Sequence, residues 1–226
     1  MVAGTADGRD PAERGPHEQA VVEHSVTLGG QDRSGDPGPG AAQEGSRRRA
    51  GGGPTLAGMT LVEELVADRP WVGHEPEMEL YGRLIGTWDV VNRFYAEDRA
   101  EWVTGTVVWT FGWVLAGHTV QDVMWFTGPG PDGGPRRVTG STVRHYDPAG
   151  KCWAVVWFSP TSKIFTLTGR GGDDGDIVQE GTQPDGRPIR WLFTEVTRES
   201  FRWLGYVSDD QGETWRLVQE MRAARR

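Results

Sequence analysis

A chain of 226 residues has room for one domain with extensions, and a hydrophobic content of 36% is low for a wholly folded chain of that length. The formal net charge of −8 argues against a nucleic-acid binder, which needs a basic face. A single cysteine, Cys152, excludes an intrachain disulfide framework and suits a reducing compartment. Eleven tryptophans against four tyrosines is an aromatic load that a core or a pocket would use.

Residues 1–58 contain no aromatic side chain and are rich in Gly, Pro, Arg and Asp. Such a segment cannot bury enough apolar area to offset its chain entropy, so a disordered tail is predicted, followed by one domain over 59–226. Arg47, Arg48 and Arg49 read as a solvated cluster within it. Met59 directly precedes the first helix-like stretch and reads as an alternative start. No run is apolar and long enough to cross a bilayer as a helix, and no apolar signal segment follows Met1. A cytoplasmic protein without a membrane partner is therefore expected.

Thr60–Asp68 repeats Leu61/Leu65 and Val62/Val66 at i, i+4, which predicts a short amphipathic helix stopped by Pro70. Pro76 then opens a second helix that runs to Gly86, with Met78, Tyr81 and Ile85 on one face. From Thr87 onward the period becomes two. Strands are predicted over 88–95, 102–115, 118–127, 138–147, 151–159, 163–169 and 176–181. The glycine- and proline-rich loop after Thr127 separates two of them. The last stretch, Pro188–Met221, reads as three antiparallel strands. Its odd positions carry Ile189, Trp191, Phe193, Phe201, Trp203, Val207, Trp215, Leu217 and Met221, together with Glu195 and Gln219. About ten strands in succession, joined by short loops, predict an all-β fold: an antiparallel meander closed into a barrel, with one or two short N-terminal helices.

Ser208, Asp210, Gly212, Thr214 and Trp215 resemble the Asp-box pattern, of which sialidases carry several. One box without an internal repeat reads as a hairpin device. Asp210 caps backbone amides, Gly212 takes a positive φ and Trp215 packs on the sheet. A broader resemblance covers Glu77 to Arg222. The runs LIGTWDV, WTFGWVLAGHTVQDVMW, GSTVRHYDPAGKCWAVVW and EGTQPDGRPIRW are similar to a bacterial family of calycin-like β-barrels of unknown function. Gly86-Thr87-Trp88 after a short helix is similar to the start of lipocalin and nitrobindin barrels. The resemblance implies a closed barrel with a helix at one end and brings no catalytic residues. The histidine near the C-terminus by which nitrobindins hold haem has no counterpart, since none follows His145.

His74, His118 and His145 are isolated, and no metal-ligand spacing or phosphate-binding glycine loop is present, so no metal or cofactor is expected. The candidate site consists of polar groups on aromatic faces. The turn at Ala116-Gly117 puts Trp109, Phe111 and Trp113 on one face with Val120, Asp122, Met124 and Phe126. Of the adjacent pair Arg144 and His145, one must point inward. Trp157, Trp191, Phe193, Glu195, Trp203 and Gln219 complete the predicted lining. Two readings are open: a buried network that fixes strand register, or a pocket whose polar groups orient or protonate a bound molecule.

The functional expectation is a barrel that binds a small, largely apolar molecule. The rivals are a cofactor-independent isomerase, cyclase or lyase using Asp122, Glu195 or His145, and a protein-interaction module with a filled barrel. Leu192, Val196, Leu204, Tyr206 and Val218 fall on the outward face of the last meander. Either the Thr60–Asp68 helix or a second copy, giving a homodimer, is expected to cover them. Limited proteolysis of the full chain is expected to leave a stable fragment beginning near residues 55 to 75; protection of Arg33 to Arg49 would contradict a dispensable tail.

Overall fold

The computed structural model describes residues 60–127, 138–160 and 163–226. The tail predicted over 1–58 and the irregular loop after Thr127 lie outside the described residues. Two short helices, α1 (Leu61–Leu65) and α2 (Glu75–Gly82), flank a two-residue strand β1 (Val66–Ala67). Ten longer strands follow: β2 (Gly86–Ala96), β3 (Glu101–Val114), β4 (Thr119–Phe126), β5 (Val138–Asp147), β6 (Cys152–Phe158), β7 (Ile164–Gly171), β8 (Ile177–Thr182), β9 (Pro188–Thr194), β10 (Ser200–Val207) and β11 (Arg216–Arg225). Each pairs antiparallel with the next, and β11 pairs with β2, so the ten strands close into an up-and-down barrel without a free edge among them.

The predicted alternation places the aromatic face inward. Trp88, Trp109, Phe111, Trp153, Phe193, Phe201 and Trp203 all belong to one buried cluster. One end of the barrel is stoppered by α2. Met78, Tyr81 and Leu84, from the helix and the turn after it, are fully buried, and the Leu84 carbonyl accepts a 2.8 Å hydrogen bond from Trp88 Nε1. A Cβ on Gly169 would come within 2.3 Å of Tyr81 Oη, so glycine there lets the helix approach the sheet. Arg225, near the end of β11, lies over the Trp88 ring at 4.1 Å and donates to the Ile85 carbonyl at 3.0 Å and to the Arg198 carbonyl. That one side chain joins the exit of α2, the first and last barrel strands and the β9–β10 loop.

Three local expectations are corrected. The first helix ends at Leu65 rather than Asp68, because Val66 and Ala67 turn extended and pair with Val114 and Trp113 of β3. Leu61 and Val62 stay exposed, so α1 does not cover the outward face of the last meander. There Leu204 is nonetheless buried, and the arginines around it are held by carboxylates: Arg202 by Glu220 at 2.9 Å and Arg190 by Glu180 at 2.7 Å. Finally, a bulge lies where Gly205 faces Gln219 but Tyr206 faces Leu217. Val218 is the extra residue and packs on the core, while Leu217 shares the outer face with Tyr206.

The Ser208–Trp215 hairpin has the geometry read for it. Asp210 accepts from Thr214 Oγ1 at 2.6 Å, Thr214 N at 2.8 Å and Ser208 Oγ at 2.8 Å, and these hydrogen bonds, that of the Thr214 hydroxyl foremost, hold its carboxyl down at about 2. Gly212 takes φ +100°, and Trp215 packs on the sheet's outer face against the Arg190 guanidinium at 4.2 Å rather than joining the inward aromatic residues. For the closure at Arg225, Arg225→Ala is expected to lower unfolding free energy by about 2 kcal/mol, through the lost cation–π contact and charged hydrogen bonds. Arg226→Ala, at an exposed position, should stay within ~0.5 kcal/mol. Urea titration of the two variants measures both.

Candidate functional site

A polar chain crosses the barrel just above α2. Strand parity turns Asp122 of β4 and Arg144 of β5 inward, and the side chains of both are 2% exposed. Arg144 Nη1 donates to Asp122 Oδ2 at 2.6 Å, while Asp122 Oδ1 accepts from Thr142 N at 3.0 Å. Arg144 Nε continues the chain to Gln179 Oε1 on β8 at 3.3 Å, and Tyr81 Oη from α2 donates to that same oxygen at 3.2 Å. The guanidinium also lies 5.3 Å from the Tyr81 ring, 5.4 Å from Phe111 and 5.7 Å from Phe193. Burial pushes the Tyr81 hydroxyl far above its ordinary range, against a smaller opposing effect of the Arg144 charge, so it serves as a neutral donor. Asp122 is thus neutralised by Arg144 and hydrogen-bonded on both oxygens, the arrangement of a clamp between strands and helix rather than of a free acid or base.

The opposite end is lined by half-buried aromatic rings. Trp157 and Phe165 stack at 5.2 Å, Phe165 meets Trp191 edge-on at 5.8 Å, and Trp191 leans on Trp203 at 5.6 Å. Met124 and Phe126 stand at the same end on β4, partly exposed. Two glycines make room for the tryptophans: a Cβ on Gly140 would lie 2.5 Å from Trp157 Nε1, and one on Gly205 would lie 2.7 Å from the Trp203 ring. Three successive hairpins of this rim are tied by ion pairs. Arg187 meets Asp185 at 2.9 Å and Asp209 at 3.1 Å; Arg216 meets Glu97 at 3.1 Å and Asp209 at 3.3 Å.

The predicted lining therefore divides. Met124, Trp157 and Trp191 are half-buried at the end opposite α2, and Trp203 is buried against Trp191. Trp109 and Phe193 pack in the middle of the barrel, ring centroids 5.6 Å apart. Asp122 and Arg144 belong to the buried clamp. Gln219 faces inward on β11 and donates to Asn92 Oδ1 at 2.9 Å. Two predicted residues are not in the interior. His145 is exposed on the outer face, its Nδ1 2.8 Å from Thr119 Oγ1, because the β4–β5 register assigns the inward place to Arg144. Glu195 lies past the end of β9 with φ 53°, which breaks the alternation and sends its carboxylate out to Arg202 at 3.4 Å. Gln179, Tyr81 and Phe165 are interior residues absent from the predicted lining. Carrying period two through Ile177, Gln179 and Gly181 would have found Gln179, whereas nothing local brings Tyr81 to β8.

Among the described residues no three His, Cys, Asp or Glu side chains are grouped to hold a metal, and no helix is long and apolar enough to cross a membrane. No family model matches the sequence, and no curated protein matches it. Among solved structures, the chain is similar to the S-type phycobiliprotein lyase CPES from Guillardia theta, at 12% identity and a TM-score of 0.48, over 68% of this chain and 97% of that one. The similarity is one of backbone outline and carries no residue role across. What fold and interior define is a closed ten-stranded antiparallel barrel with α2 stoppering one end and half-buried aromatic rings at the other.

Removing one partner of the clamp leaves a buried charge unmatched. Asp122→Asn is expected to cost roughly 3 kcal/mol or more of unfolding free energy. Glu195→Gln, at the exposed position, should stay within ~0.5 kcal/mol. Equal, small losses in both by urea titration would show that the clamp does not hold the fold.

Proposed function

We propose that this barrel, similar to the calycins, binds a small, flat, largely apolar molecule at the aromatic end opposite α2, which serves as its mouth. The observation that carries the reading is the half-buried cluster of Trp157, Phe165 and Trp191, flanked by Met124 and Phe126, at the end of the barrel opposite α2. Aromatic rings left partly wet gain most from a partner that stacks on them and excludes water. Two glycine positions that shape themselves to Trp157 and Trp203 support a built surface rather than incidental exposure. Barrel mouths are common positions for ligand sites.

Binding fits the interior chemistry better than turnover does. Of the three groups expected to act as acid or base, Asp122 is matched by Arg144, and His145 and Glu195 lie outside. The test is titration of the full chain with the apolar dye phenylnaphthylamine, followed by its fluorescence. Trp191→Ala is expected to weaken binding about tenfold, from lost stacking and burial. Trp102→Ala, on the outer face beside Arg93, should leave it unchanged. No saturable binding to the wild-type chain, or equal loss in the two variants, would overturn the reading.

A further inference from the structure

Two N–H donors inside the barrel have no acceptor: Trp109 Nε1 and Gln179 Nε2. Trp109 is 3% exposed and Gln179 is 0% exposed. A third such group, Gln183 Nε2, belongs to the β8–β9 turn rather than to the interior. Buried donors are nearly always paired, because an unmade hydrogen bond leaves the full desolvation cost standing. Gln179 cannot relieve itself by turning its carboxamide over. Its Oε1 already accepts from Tyr81 Oη and Arg144 Nε, and the flipped amide would set N–H against the Arg144 Nε–H, which cannot accept. An indole offers only a donor, so Trp109 has no alternative either.

Their position links these donors to the mouth. Trp109 on β3 is the cross-strand partner of Met124, and Gln179 on β8 is the partner of Trp191. Both neighbours belong to the aromatic end, so the donors stand level with two of its residues, between them and the polar chain above α2. Around the ring, β3 and β8 are separated by the same number of strands in either direction, through β2, β11, β10 and β9 or through β4, β5, β6 and β7. They stand on opposite walls of the barrel. The only buried cation beside them, among the described residues, is Arg144, and Asp122 already matches its charge. The floor therefore offers hydrogen bonds without excess positive charge. An anion there would be desolvated without a counter-charge, whereas a neutral acceptor would not.

We infer that the ligand of the mouth carries a neutral hydrogen-bond acceptor, such as a carbonyl, on the end that enters first, and that Trp109 Nε1 and Gln179 Nε2 receive it. The inference rests on the mouth being the binding site proposed above. It is tested with two dyes that differ by one acceptor: Prodan, and its parent dimethylaminonaphthalene, which lacks the propionyl carbonyl. The readout is the ratio of their affinities for the full chain. Two variants remove one donor each. Trp109→Phe deletes an N–H that has no partner, and Gln179→Glu keeps the oxygen used by Tyr81 and Arg144 while replacing the amide nitrogen.

Prodan is expected to bind the wild-type chain about tenfold more tightly than its parent, and each variant to reduce that ratio about fivefold. Prodan emission in the complex should move to the blue in both variants, since its carbonyl loses a donor. Packing changes act on both dyes alike and leave the ratio alone. Should Gln179→Glu fail to fold, Trp109→Phe decides by itself. Equal affinities for the two dyes in the wild-type chain, or a ratio unchanged in the folded variants, would overturn the acceptor while leaving the mouth as a binding site. Binding of neither dye would overturn both.

Discussion

The ladder between the first and last barrel strands is the constraint on which the rest depends. Met221 faces Asn92, Ala223 faces Val90 and Arg225 faces Trp88. Without that ladder β2 and β11 would each present a row of unpaired backbone groups, and the inward aromatic face would open to water. Every other barrel strand pairs with its sequence neighbour. Only this pairing joins residues more than a hundred positions apart, so it carries the largest loop-closure entropy in the fold. The Arg225 guanidinium over the Trp88 ring, with its bonds to the Ile85 and Arg198 carbonyls, concentrates several contacts at that seam.

Closure creates an interior whose two ends differ in kind. Beside α2, a charge pair and two further polar side chains are enclosed by Phe111, Phe193 and the Tyr81 ring. Such a group of charges stabilises one arrangement only, because any slip of register between β4 and β5 would separate Asp122 from Arg144 in a medium with no water to replace the partner. The clamp therefore fixes register at the stoppered end. At the mouth the contacts are ring against ring, less directional, and two glycines replace side chains that would otherwise fill the space under Trp157 and Trp203.

Much of this was legible in the sequence. The period of two from Thr87 onward reflects the pleat of a strand, a local steric property that needs no partner to be read. It set the meander, the inward aromatic face, the inward place of Asp122 and the turn at Ala116-Gly117 that relates β3 to β4. The hairpin at Ser208–Trp215 was readable for a similar reason, since its hydrogen bonds run between residues at most a few positions apart. Parity failed where backbone conformation left the strand: at Glu195 with its left-handed φ, and at Leu217 and Val218 across the bulge.

Only the tertiary structure decided the remainder. Arg144 and His145 are neighbours of comparable polarity, and the choice of which one faces in came from pairing with β4 and β6 on either side. The meeting of Tyr81 and Gln179, 98 positions apart, came from the docking of a helix into a barrel end, for which no local pattern exists. The sequence by itself determined which residues a strand would turn to one side. Which end closed around a charge pair, and which gathered half-buried rings, depended on the free energy of contacts between strands and helix that exist only once the barrel is shut.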